Sequence, residues 1–385
     1  INVAGNFSHT AGTITESASG SGLIVFNGSS TQTFTSGGTV SNTIGYTVNN
    51  GAFLQMAAEA TVVSGGGTFT LSSGGTLGIT STAGITSSGA TGNIQTTNRS
   101  FSAGGNYVYN GTAAQNTGSG YPTALTGSLT INNSAGVTIV NAARTITTGT
   151  LNLTQGTFAT NNGGNRLSLG STATVNRSEG SLTGSLQGAN TYNVNYTGNS
   201  KTTGEELSGS GLNNVTVNLS SGQTLTLDQN RTPDGNFTVT SGTFDLSTFT
   251  FNRSGAGGTM TISNGTTLKI GGTNTLPSSY STHSIGTTST IEYAGANQSI
   301  GALNSSQTYG NLTLSGSGTK TFGGVRTVSN TLSIASGVVA NLGTFTHSAE
   351  ILLLAGVLQP TGSHGSTSSS ATYPNNTYFA ATTGI

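Results

Sequence analysis

Short runs in which every second residue is apolar recur along the whole chain. Examples are Leu151-Asn152-Leu153, Val215-Thr216-Val217-Asn218-Leu219, Leu225-Thr226-Leu227, Phe237-Thr238-Val239, Met260-Thr261-Ile262, Leu268-Lys269-Ile270, Leu312-Thr313-Leu314 and Leu332-Ser333-Ile334. Period two puts the apolar residues on one face of a strand and Thr, Ser or Asn on the other. Clusters such as SGG, NNG, SNG and SGSG separate the runs and are turn chemistry. No long 3.6-residue periodicity competes with this pattern, so the sequence predicts an all-β fold.

Internal repeats narrow the choice. Gly5-Asn6-Phe7…Gly12-Thr13-Ile14 returns as Gly235-Asn236-Phe237…Gly242-Thr243-Phe244, with relatives at Gly149–Phe158 and Asn330–Val339. A second motif, aromatic-x-Gly, occurs at Phe26-Asn27-Gly28, Tyr109-Asn110-Gly111, Tyr196-Thr197-Gly198 and Tyr293-Ala294-Gly295, at intervals of 83, 87 and 97 residues. About 20 residues beyond the last three come Leu129, Val215 and Leu312, and about 20 more bring Leu151, Phe237 and Leu332. A short step of about 20–23 residues thus runs inside modules beginning near 26, 109, 196 and 293. A step of that size is one turn of a solenoid. The expectation is one continuous right-handed parallel β-helix (β-solenoid) over residues 1–385, an elongated rod of seventeen or so turns and about 80 Å at the usual strand spacing. Tandem β-sandwich domains are the rival, but they leave the 20-residue step unexplained.

Composition fits stacked turns. Charged residues make up 5 % of the chain and net charge is zero. Like charges repeated in register would repel, so a solenoid surface favours hydroxyls and amides. The ten Lys and Arg are scattered from Arg99 to Arg326, without the basic cluster that nucleic acid or an anionic membrane surface requires. The longest apolar run, Ile351–Leu358, is too short to span a bilayer, which takes about 20 residues. The chain opens directly in strand pattern and shows no obvious cap at either terminus, which reads as an interior piece of a longer chain.

Candidate sites are few. The Asp residues are Asp228, Asp234 and Asp245; the first two flank Arg231, a charged turn by preference over the paired acids of a glycan-cleaving β-helix. Glu205-Glu206, after Lys201, reads as a solvated loop. His9, His283, His347 and His364 are dispersed; His347 with Glu350 is one pair, short of a metal site. No cofactor motif is present. Tyr107, Tyr109, Tyr121, Tyr192 and Tyr196 are the best cluster for contact with glycans, but stacking in or capping the solenoid core is the preferred placement. The triplets at Asn110, Asn214 and Asn311 match the glycosylation pattern, which a chain rich in Asn and Thr produces by composition.

The segments Tyr109–Ile139 and Gly365–Ile385, together with the repeats, resemble the β-strand-repeat regions of very large cell-surface adhesins of gliding and biofilm-forming Bacteroidota exported by type IX secretion. The resemblance implies an extracellular structural or adhesive shaft or filament serving attachment, gliding or biofilm. Its partners would be surface glycans, other copies of itself, and the secretion and anchoring machinery. The residues themselves also leave open a glycan-binding or glycan-cleaving β-helix.

Overall fold

The computed structural model describes residues 1–17, 20, 22–187, 191–304 and 307–385, with the backbone alone for residues 161, 162 and 165. The chain is an all-β solenoid of about 16 turns with about 22 residues per turn. It divides into two compact units, residues 1–194 with 204–211, and residues 195–203 with 212–385. The one helical element among the described residues is a 3₁₀ turn, Glu205–Leu207.

In the first unit one stack runs Phe7–His9, Thr31–Ser36, Phe53–Met56, Thr76–Ile79, Asn106–Tyr109, Ser128–Asn132, Thr150–Gln155 and Thr174–Arg177, each parallel to the strand before it. A second face stacks Asn2–Val3, Leu23–Phe26, Gly45–Val48, Val63–Leu71 and Ile94–Phe101, also parallel. The register puts Tyr107 on Leu129 and Leu129 on Leu151, the 22-residue step read from the sequence. Some turns are wider: Phe7 meets Phe34, and Leu77 meets Tyr107 in a wider one still. The extra residues form a loop that Asn93 holds by accepting the N–H groups of Thr80 and Ser81 and donating to Thr61 O.

The second unit is built alike. Leu212–Leu219, Phe237–Ser241, Gly257–Ile262 and Tyr280–Ile285 make one face. Lys201–Thr202, Thr224–Thr226, Thr243–Asp245, Thr267–Ile270, Thr290–Tyr293, Asn311–Leu314, Thr327–Ile334 and Ser348–Leu354 make another. Leu225, Phe244, Leu268, Ile291, Leu312, Leu332 and Leu352 stand one above another in a single inward column, and all but the last are buried. Each fully buried side chain of this kind contributes about 1.5–3 kcal/mol relative to exposure. No turn can realise that gain without a neighbour to cover it, so stacking and stability are one event. Hairpin-paired sandwich domains are thereby excluded. Antiparallel pairing occurs twice among the described residues, at Asn161–Asn162 with Asn165–Leu169 and at Ser348–Leu354 with Val357–Leu358.

The repeated motifs mark corners. The shared glycine of the first motif has positive φ in all four copies: 77° at Gly12, 74° at Gly156, 84° at Gly242 and 78° at Gly337. At Gly156 the backbone of the preceding turn is also in the way, since a Cβ there would lie 1.8 Å from Asn133 O. Left-handed backbone and close approach together leave only glycine.

The aromatic-x-Gly motif is a corner locked by a buried glutamine. Gly28, Gly111 and Gly295 donate their N–H to the Oε1 of Gln32, Gln115 and Gln298, at 2.9, 2.9 and 2.8 Å. The same amides donate through Nε2 to carbonyls of the preceding turn: Val3 and Gly5, Ile79 and Ser81, and Ile270 and Asn274. In the fourth copy Lys201 stands at that position and donates to Thr197 O at 2.7 Å and to Asn199 O.

The last turn departs from expectation. Sequence patterning shows no cap there, but Ile351–Leu358 forms a hairpin through Ala355 and Gly356, whose φ values are 45° and 79°. The hairpin pairs Leu358 with Leu353 and Val357 with Leu354, and so covers the end of the Ser348–Leu354 edge. The segment after it returns to the stack: Ala340 N donates to Tyr378 O, Ala380 N to Ala340 O, and His347 N to Ile385 O.

Candidate functional site

The five tyrosines put forward for glycan contact are in the core. Tyr107, Tyr109, Tyr192 and Tyr196 are fully buried and Tyr121 is 3 % exposed. Inward strand positions, set by period two, bury Tyr107, Tyr109, Tyr192 and Tyr196, and Tyr121 turns inward from a bend between strands, so none is available to a surface ligand. Tyr107, Tyr109 and Tyr121 do converge, with the Tyr121 ring centre 5.4 Å from that of Tyr107 and 6.3 Å from that of Tyr109. Burial raises the phenol pKa of all three well above the ordinary value. Tyr192 lies apart from that cluster in sequence and donates its hydroxyl to Glu206 O at 2.9 Å.

Three ion pairs form among the described residues. Asp228 accepts from Arg231 Nη2 at 2.7 Å and Nε at 3.2 Å, and from Thr203 Oγ1 at 2.5 Å. Burial opposes ionisation of Asp228, but the hydrogen bonds from Arg231 and Thr203 outweigh it and hold the carboxyl below its usual range. Asp234 instead accepts from Ser254 Oγ, so the two acids flanking Arg231 serve different contacts. Asp245, Lys269 and Glu292 occupy one outward column in consecutive turns, and Lys269 Nζ lies 3.0 Å from Asp245 Oδ2. The hydrogen bond that Lys269 donates to Asp245 raises the Lys269 pKa. Stacking in register here is a stabilising alternation of sign rather than a repulsion.

Glu205-Glu206 corrects the sequence reading. Instead of a solvated loop, the pair opens the 3₁₀ turn Glu205–Leu207. Glu206 is fully buried, with its Oε1 2.5 Å from Arg177 Nη1. Nothing in the local sequence ties Glu206 to a residue 29 positions earlier; only the stacking of turns does. His283 is buried, and its Nδ1 accepts from Asn304 N at 3.1 Å. Among the described residues no group of three or more His, Asp or Glu is arranged to hold a metal ion.

The glycosylation triplets carry structural amides. Asn110 exchanges two hydrogen bonds with Gln55, Asn214 Oδ1 accepts from Asn236 N at 2.8 Å, and Asn311 Oδ1 accepts from Thr331 N at 3.3 Å. The same device recurs at Asn6, Asn236 and Asn297, each accepting a backbone N–H of the next turn.

A cavity of about 350 Å³ sits in the last turn, between Leu332, Leu342 and Leu352 on the stack and Phe379 and Ile385 on the returning segment, with His347 and His364 at its wall. His347 is fixed as a neutral ring: Nδ1 accepts from Arg326 N at 3.1 Å, which leaves Nε2 to donate to Leu342 O at 3.1 Å. Burial lowers its pKa. His364 stacks on Tyr373 at 5.0 Å, and its Nε2 lies 2.9 Å from Pro360 O. The cavity's chemistry is therefore that of an apolar seat rather than of acid–base work. No family model, no curated protein and no solved structure matches the chain.

Sequence reasoning missed Gln32, Gln115, Gln298, Lys320, Arg144 and the Arg177–Glu206 pair. For the glutamines a signal was present: each lies five or six residues after the aromatic of its aromatic-x-Gly motif.

Proposed function

We propose that this chain is a structural and adhesive module of an extracellular bacterial surface protein, a shaft or filament segment serving attachment, gliding or biofilm. The observation that carries the reading is the way polar chemistry is spent. The buried Arg177 and Lys320 are bonded to residues of neighbouring turns, and the outward columns present Thr, Ser and Asn, as in Thr224, Thr243, Thr267 and Thr290 in four successive turns. A hydroxyl surface over continuous apolar columns suits a load-bearing, protease-resistant part. Hydrogen bonding of successive turns along the described strands supports the same role. The resemblance of Tyr109–Ile139 and Gly365–Ile385 to adhesin repeats adds surface display to that reading.

The test is threefold. Negative-stain images of the purified chain should show thin rods of uniform width. Antibody raised against the chain should label intact producing cells, and cells lacking the protein should attach less to surfaces. Compact globular particles, or label that appears only after the cells are permeabilised, would overturn the proposal. Turnover of a polysaccharide by the purified chain would favour a glycan-cleaving β-helix instead.

A further inference from the structure

Three arginines are buried among the described residues: Arg144 at 3 % exposure, Arg177 at 8 % and Arg231 at 6 %. The fold gives two of them a carboxylate, Glu206 for Arg177 and Asp228 for Arg231. Arg144 has none. Its one hydrogen bond runs from Nη1 to Ala143 O at 3.5 Å, the outer limit of such a contact, and its Nε is buried without an acceptor. Even the buried ammonium of Lys320 is treated better, with four oxygens around it.

A guanidinium cannot shed its proton inside a protein. A buried charge with no opposite charge is strongly destabilising, as the breaking of a buried ion pair is. Beside it stands a second incomplete group. The guanidinium carbon of Arg144 lies 5.8 Å from the Tyr121 ring centre, and the Tyr121 hydroxyl is buried without a partner. Its neighbours are satisfied, since Tyr107 donates to Ser102 O and Tyr109 to Thr117 O, both at 2.6 Å. Two N–H or O–H donors that lack acceptors, one of them permanently cationic, call for a species that only accepts and is negatively charged. Leu167 is the register partner of Arg144, and Arg144 and Tyr121 are each only 3 % exposed. An anion of one or a few atoms suits so enclosed a place.

We propose that Arg144 and Tyr121 form a binding site for one small monovalent anion of the halide class, held by the guanidinium and the phenol hydroxyl within the first unit. The site supplies the counter-charge that the chain itself gives to Arg177 and Arg231, and so couples the stability of the turns around residues 107–167 to chloride. This inference is independent of the adhesive reading and stands or falls separately from it.

The experiment measures thermal unfolding of the full chain at constant ionic strength while sodium chloride replaces sodium gluconate, whose anion is too large to enter. The wild-type midpoint should rise with the logarithm of chloride concentration, as expected for a ligand that binds only the folded state. Arg144→Gln should abolish the dependence, and Tyr121→Phe, which keeps the ring and removes one donor, should weaken it. Crystals soaked in bromide should show an anomalous peak in contact with the Arg144 guanidinium. A wild-type midpoint indifferent to chloride, an Arg144→Gln protein that keeps the full dependence, or bromide absent from Arg144 would each overturn the proposal. If Arg144→Gln does not fold, the Tyr121→Phe titration and the bromide peak decide the matter.

Discussion

Replacing Lys320 with methionine tests the idea that corner side chains hold successive turns together. Lys320 is fully buried. Its ammonium donates to Ala296 O at 2.6 Å, Gly295 O at 2.7 Å, Gln298 Oε1 at 2.8 Å and Ser317 O at 3.3 Å. In Lys320→Met two of these acceptors keep another donor: Gly295 O retains Ser317 N at 3.0 Å, and Gln298 Oε1 retains Gly295 N at 2.8 Å. Ala296 O and Ser317 O bear most of the loss. At about 1–3 kcal/mol for each buried acceptor left without a donor, the gross cost is about 2–6 kcal/mol. Methionine recovers part of it, because it carries no charge to desolvate and fills similar volume. The expected net loss is about 2–4 kcal/mol, confined to the turns around residues 295–322 because each turn touches only its neighbours. Hydrogen exchange is the suitable assay, since it resolves stability turn by turn. Protection of the amides of Gln298–Ile300 and Gly318–Phe322 should fall, with that of the first unit unchanged. A variant as stable as the wild type, or more so, would refute the reasoning. It would mean that the cost of burying the ammonium, which pushes its pKa down to about 8, cancels what the oxygens return.

Three further outcomes follow from named contacts. Glu206→Gln leaves Arg177 buried without a counter-charge and should cost about 3–5 kcal/mol in chemical denaturation, whereas Arg177→Met combined with Glu206→Met should cost less than either single change. Gly51 and Gly156 both have positive φ, 80° and 74°, but a Cβ at Gly51 meets open space while one at Gly156 meets Asn133 O. Gly51→Ala should therefore cost about 1–2 kcal/mol of backbone strain alone, and Gly156→Ala about 2–4 kcal/mol with the added displacement of the preceding turn. Glu16 accepts hydrogen bonds from Gly20 N, Thr43 Oγ1, Gly22 N and Thr43 N, which hold its pKa down to about 2 from 4.5. A carboxylate depressed in the folded state stabilises it above the unfolded pKa, and that stabilisation is lost as pH falls from about 4.5 towards 2. The protection factors of amides around Thr43, measured relative to intrinsic exchange at each pH, should therefore fall across that window, and Glu16→Gln should remove that fall.

Much of the fold is legible in the chain because two periods are written into it. Alternation of two fixes strands and their inward residues: Leu225, Phe244, Leu268 and Ile291 can be assigned to a core without coordinates. The step near 22 fixes stacking, and the glycine common to Gly12, Gly156, Gly242 and Gly337 marks a corner. Other features lie beyond the sequence because they depend on which residues of consecutive turns meet. Steps between register partners are not constant; Leu77 to Tyr107 spans 30 residues, and Leu312 to Leu332 spans 20. Each variation shifts every side chain downstream relative to the turn above it. The pairing of Arg177 with Glu206, the alternation of Asp245, Lys269 and Glu292, and the isolation of Arg144 from any acid follow from that accumulated register. Local pattern determines which face a residue occupies, because strand geometry alternates regardless of context. Only the stacked structure decides its neighbour, because that depends on the length of every corner in between.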